Sequence, residues 1–294
     1  MTTLQKTIKY FAIAAAILLS VSILSIIASV AIGIFSGIGM FGNSISSKTN
    51  IGIKKGQKIE ITEELMDFQE SFSNIESIEV ENSASEFYIK TGNEFRVEAN
   101  NVSRNFSATV KSGTLTIEDD GWRIGWFGAR SGNPFNSVIT LYVPEDFVGD
   151  TVSITTGAGT IIVDQLTTES LNVNAGAGKI DFDNTNSKDT RIEGGVGSLS
   201  FTNANLGDLH LSCGVGKTYI EGIVYGDSKI ECGVGNLEMK LTGSIDDYDL
   251  TADMGIGEIR INGTKYNNRN WRNSNAPNSL EIDGGIGSAY VDFN

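Results

Sequence analysis

The sequence predicts an all-β domain built as a single parallel β-solenoid (β-helix) of ~19-residue coils, preceded by one N-terminal transmembrane helix. Three observations predict it. A G-x-G motif occurs seven times between residues 157 and 287, four successive motif intervals are each 19 residues, and residues 10–47 carry no charge.

The motifs fall at Gly157/Gly159, Gly176/Gly178, Gly195/Gly197, Gly214/Gly216, Gly233/Gly235, Gly255/Gly257 and Gly285/Gly287, at intervals of 19, 19, 19, 19, 22 and 30 residues. Equal intervals followed by longer ones fit stacked coils whose extra residues loop out of the stack. Three residues before each first glycine stand Ile154, Val173, Ile192, Leu211, Ile230, Ala252 and Ile282. Between the glycines stand Ala158, Ala177, Val196, Val215, Val234, Ile256 and Ile286. Alternate side chains of a strand share a face, so both sets are expected to point inward, together with the residue just before each motif. After the motif the apolar positions become Ile161/Val163, Ile180/Phe182, Leu199/Phe201, Leu237/Met239 and Ile259/Ile261, a slip of one residue. Such a slip turns the chain at a corner, where glycine supplies positive φ and close approach of coils, so the motif glycines are read as structural corners. Each unit is expected to hold two short strands.

In chain order, residues 1–9 are a short tail and 10–41 the membrane anchor. Residues 11–32 alone make about 33 Å of helix, enough to span a bilayer. A cleaved signal peptide, with Ser29 and Ala31 as the small-residue pair, is the rival reading, but the apolar run continues to Phe41. Residues 42–58 are a polar linker whose Lys48, Lys54, Lys55 and Lys58 outnumber Lys6 and Lys9, so charge alone leaves the orientation open. The solenoid domain occupies 59–294, with regular repeats over 150–294. Residues 75–80, 87–90, 95–99, 108–110, 114–118 and 138–143 read as alternating strands of degenerate coils. A propeller with two units per blade is the architectural alternative.

Composition narrows the chemistry. Lys plus Arg number 22 against 36 Asp plus Glu, a net charge of −14, which argues against a nucleic-acid partner. One histidine and two cysteines leave little from which to assemble a zinc site or a catalytic triad. Cys213 and Cys232 are 19 residues apart and stack in neighbouring coils, within reach of a bridge but read as a buried thiol ladder, while His210 lies on the opposite face. Outward carboxylates recur as Asp164, Asp183 and Glu221, and as Glu193, Glu231, Asp253 and Asp283. They read as solvated acidic faces, because the period and the missing following aspartate do not fit calcium-binding nonapeptides. No catalytic, cofactor or metal residue is assigned.

Two irregular segments hold all three tryptophans. One carries Lys265, Tyr266, Arg269, Trp271 and Arg272, a basic island on an acidic body, and is the candidate ligand or surface-binding loop. The other carries Trp122, Arg123, Trp126 and Arg130. Aromatic and guanidinium groups together suit cell-wall polymers or anionic surfaces; alternatively these aromatics cap the solenoid.

From Thr140 the chain resembles the putative-adhesin, β-strand-repeat family of bacterial cell-envelope proteins. Val143 to Asp146 fill its V-P-x-[DE] strand end, and the seven glycine motifs fill its repeat. The resemblance implies a membrane-anchored or secreted protein, an extracytoplasmic domain, and relatives beside envelope-stress systems, and it attaches no catalytic residues. The expected protein is a non-enzymatic, single-pass membrane-anchored envelope protein, an adhesin or a binding or scaffold module, whose partners are the membrane, a wall polymer, an envelope protein or itself. A bactofilin-like polymerising scaffold is the alternative, and a polysaccharide-active enzyme the third reading.

Overall fold

The 19-residue interval of the sequence becomes a 19-residue hydrogen-bonding register. In the computed structural model, which describes residues 65–119, 137–266 and 273–294, Ala158 pairs with Ala177, Ala177 with Val196, Val196 with Val215, and Val215 with Val234. All described residues belong to one unit, 62–123 with 131–294. The expected 10–41 anchor lies outside the described residues, among which no helix is long and apolar enough to cross a membrane.

The fold is all-β. The strands are β1 (Met66–Phe72), β2 (Ser77–Gly92), β3 (Phe95–Val102), β4 (Ser107–Lys111), β5 (Thr114–Asp119), β6 (Val138–Pro144), β7 (Gly149–Val163), β8 (Leu166–Asp183), β9 (Thr185–Gly207), β10 (Leu209–Tyr225), β11 (Asp227–Leu241), β12 (Tyr248–Ile261), β13 (Thr264–Tyr266) and β14 (Asn278–Phe293). They form one sheet whose main path runs β1-β3-β6-β2-β7-β8-β9-β10-β11-β14-β12-β13. Helix among the described residues is one 3-10 turn, Ile245–Asp247, closed by a capping box of Ser244 and Asp247.

Each repeat is one long bent strand rather than two short ones, because the ladder continues through the corner: Gly178 pairs with Gly197 as Phe182 pairs with Phe201. The core is a set of rows running up the stack. Phe182 and Phe201 stack with ring centroids 4.9 Å apart, and Ile220, Met239, Val291 and Ile261 continue their row, all buried. Near the starts of β8 and β9 buried hydroxyl residues satisfy backbone carbonyls: Thr168 Oγ1 donates to the Gly149 carbonyl at 2.9 Å, and Ser187 Oγ to that of Asp189 at 2.7 Å.

Three further expectations need correction. The residue between the glycines does not point inward: Val196, Val215, Val234, Ile286 and Ile256 are 40–52% exposed. Alternation holds only along a straight strand, and here the chain has already turned at the first glycine, leaving the middle residue at the convex apex. Inward positions end at the residue before the motif and resume four residues after its first glycine, at Ile161, Ile180, Leu199, Thr218 and Leu237.

The stacking order, secondly, is not the chain order. β14 lies between β11 and β12, pairing Gly287 with both Gly235 and Gly257. The long intervals of 22 and 30 residues therefore mark a chain that passes out to the end turn and returns to an inner position. They are not insertions looped out of a sequential stack.

Thirdly, the sheet is not uniformly parallel. β2 is a degenerate turn, with Ala84 opposite Ala158 and Ser85 opposite Gly159. Its other edge is shared by β5, along Ser77 to Asn82, and β6, along Glu86 to Gly92, so these two strands make one split turn. But β3 runs antiparallel to β6, β1 to β3, β4 to β5, and β13 to β12.

Candidate functional site

The corners are built by two glycines, both pressed against the turn below and the second also held at positive φ. Gly216 has φ +150°, a conformation costly for side-chain-bearing residues, and a Cβ there would also overlap the carbonyl oxygen of Gly197 in the turn below. Gly214 has ordinary φ, but a Cβ there would overlap the carbonyl oxygen of Gly195 in the turn below. With both neighbours reduced to backbone, the residue between them projects into solvent on every turn.

The product is a ladder. Val196, Val215, Val234, Ile286 and Ile256 stand on five successive turns, each in register with the next, at ~4.8 Å per turn. Ala177 and Ala158 extend it with small side chains toward β7. Two rails flank it. On one side run Glu193, Glu231, Asp283 and Asp253; on the other, Lys179 and Lys217 are the charges up to Glu258 on the end turn. Lys229 partly balances the acidic rail, 3.1 Å from Glu231, 3.3 Å from Glu281 and 3.8 Å from Asp283. Burial, and then a hydrogen bond with Glu281, raise the Asp283 carboxyl above its ordinary value. Sequence reasoning found these apolar residues but turned them the wrong way; their restriction to the middle of each G-x-G was the available signal.

Beneath the ladder is a small recess lined by Ala175, Gly194, Cys213 and Thr218 with Val196 and Val215 at its rim. Cys213 and Cys232 are both free and half-buried, in register on β10 and β11. Cys213 Sγ lies 3.0 Å from Thr218 Oγ1. A hydrogen bond from Cys232, helped by Thr218 and opposed by burial, lowers the Cys213 thiol to about 7, and the same contact raises Cys232. His210 is exposed on the other face, between Arg191 and Lys229.

Of the candidate loop, Lys265 and Tyr266 lie in β13, which adds antiparallel to the outer edge of β12 with Arg260 opposite Lys265 and Ile259 opposite Tyr266. Tyr266 packs partly against the core, and burial raises its phenol. Lys265 is exposed and helps to lower the Glu258 carboxyl, whose main partner is Arg260, 3.2 Å away. The described part of this loop thus covers a sheet edge. Arg269, Trp271 and Arg272, and all of Trp122, Arg123, Trp126 and Arg130, lie outside the described residues. Among the described residues no three His, Cys, Asp or Glu side chains are grouped to hold a metal ion.

Residues 75–275 match the model of the family described as Toastrack DUF4097. No curated protein matches the chain. The chain is similar to the crystal structure of a "putative cell adhesion protein" from Clostridium sporogenes, with 18% identity, TM-score 0.40, and coverage of 79% of this chain and 100% of that one. It is also similar to a "putative adhesin" from Bacteroides fragilis (12% identity, TM-score 0.33, 78% and 97% covered) and one from Parabacteroides distasonis (13% identity, TM-score 0.32, 79% and 98% covered).

Proposed function

We propose, given that the chain belongs to the Toastrack DUF4097 family, that it is a non-enzymatic cell-envelope binding module, anchored by residues 10–41 with its β stack outside the membrane, and that its ladder docks a second copy of itself. The observation that carries this reading is the continuous aliphatic row from Val196 to Ile256. Contiguous exposed apolar surface of this kind marks an interaction site.

Charge decides between the ways in which two ladders can meet. With a two-fold axis across the ladders, the acidic rail of one copy faces the acidic rail of the other. With the axis along them, the rail of Glu193 and Glu231 faces the side bearing Lys217, one turn away, and Lys179, which pairs with Asp181 on its own strand. The second arrangement is parallel, as two copies anchored at their N-termini in one membrane require. The scaffold reading by end-to-end stacking is less favoured, since both ends of the described sheet carry antiparallel strands.

Co-purification of two differently tagged full-length copies tests the docking. The intact chains should co-purify, and Val215→Asp with Val234→Asp should abolish this. Failure of the intact chains to co-purify, or retention in the double variant, overturns it. Protease digestion of the domain on intact cells, expected, tests the orientation; protection until lysis overturns it.

A further inference from the structure

Cys213 and Cys232 are the only cysteines of the chain, and they stand side by side. In-register parallel strands place their α-carbons about 4.8 Å apart, inside the roughly 4.4–6.8 Å that a disulfide accepts. Cys213 is the accessible partner from the recess. The residue opposite it on β9 is Gly194, which has no side chain to close that flank, and Thr218 holds the sulfur from the far side of the corner.

We propose that this pair is a thiol–disulfide exchange site, in which Cys213 takes up a low-molecular-weight disulfide and Cys232 resolves it to a bridge across two turns. In the first step the Cys213 thiolate attacks one sulfur of the small disulfide. A Cys213 S–S bond forms, the small disulfide's own S–S bond breaks, and one small thiolate leaves. In the second step Cys232 loses its proton to solvent, and its sulfur attacks Cys213 Sγ and displaces the second small thiolate. Two protein thiols are oxidised, one small disulfide is reduced to two small thiols, and the two thiol protons end on those leaving groups.

Two features set the order of events. The hydrogen bond between the cysteines and that with Thr218 favour the thiolate on Cys213, and Cys232 keeps its proton until the mixed disulfide removes that partner. The bridge joins neighbouring turns at one spacing, so it closes within the stack and needs no second copy. The proposal is therefore independent of the docking reading.

The test is intact-mass analysis of the full-length chain with oxidised glutathione. The intact chain should lose two hydrogens with no lasting adduct. Cys232→Ser should hold one glutathione on Cys213, and Cys213→Ser should be modified at Cys232 at least ~10-fold more slowly. A lasting adduct on the intact chain, equal rates in the two variants, or no reaction in any of them would overturn the proposal. Cys232→Ala, with circular dichroism on all variants, separates lost reactivity from lost folding.

Discussion

Val215 stands directly beside Val234 on the next turn, in register, with both side chains nearly half exposed at the apex of a glycine corner. Neither belongs to the buried core, although both are flanked by rows that do.

The ladder and the core should therefore respond differently to charge. Val215→Asp should change folding stability by no more than about 0.5 kcal/mol, as at other surface sites. Ile220→Asp, in the row of the stacked phenylalanines, should cost on the order of 4 kcal/mol or unfold the domain. Equal denaturant midpoints for the two variants would contradict the assignment of the apex to solvent.

At the corner itself, Gly214→Val should destabilise by overlap with the Gly195 carbonyl, and Gly216→Ala by its positive φ together with overlap with the Gly197 carbonyl, each by about 1 kcal/mol or more. Chemical denaturation of both variants checks this; Gly263, which has no neighbour in reach of a Cβ, is the control for φ alone.

β14 should be among the most protected strands in hydrogen exchange, although it is the last described strand in chain order, because it is paired on both edges. Slow exchange at Ile282 and Val291 relative to β12 is the expected result. Fraying of β14 before β12 would mean that the turns stack in chain order.

Tyr266→Ser should lower the thermal midpoint and Lys265→Ser should leave it unchanged, since Tyr266 packs on the core and Lys265 is exposed.

Alkylation of Cys213 should become half-maximal near pH 7. A lowered thiol value means more thiolate at a given pH, so the rate should level off above neutrality, whereas an ordinary thiol, at 9.0, would still be accelerating. Cys232→Ala removes the hydrogen bond that does most to lower the Cys213 thiol and should move the midpoint upward.

The sequence carries the register of this fold in plain form, because identical corners must stack and stacking fixes the interval: the spacing from Gly157 to Gly233 is the pairing from β7 to β11. The upstream strands are legible too, as in 95–99 and 114–118, but their direction is not, since alternation looks the same in a parallel and an antiparallel pair. Interval lengths likewise do not record that β14 returns between β11 and β12. The ladder was visible as apolar residues and hidden as a surface, because a glycine corner interrupts the alternation that tells inside from outside. Glu193 and Lys217 were visible as charges, but their positions as opposite rails of one ridge follow from the corner's true direction.

The most direct measurement is crosslinking of full-length chains in intact cells by a short, membrane-permeant bis-maleimide, with single cysteines placed on the ladder in a Cys213→Ser, Cys232→Ser background. Parallel docking predicts that Val196→Cys crosslinks to Val196→Cys of a second copy, Ile256→Cys to Ile256→Cys, and that the mixed pair gives no product. Crosslinking of Val196→Cys to Ile256→Cys, or none at any ladder position, would contradict it.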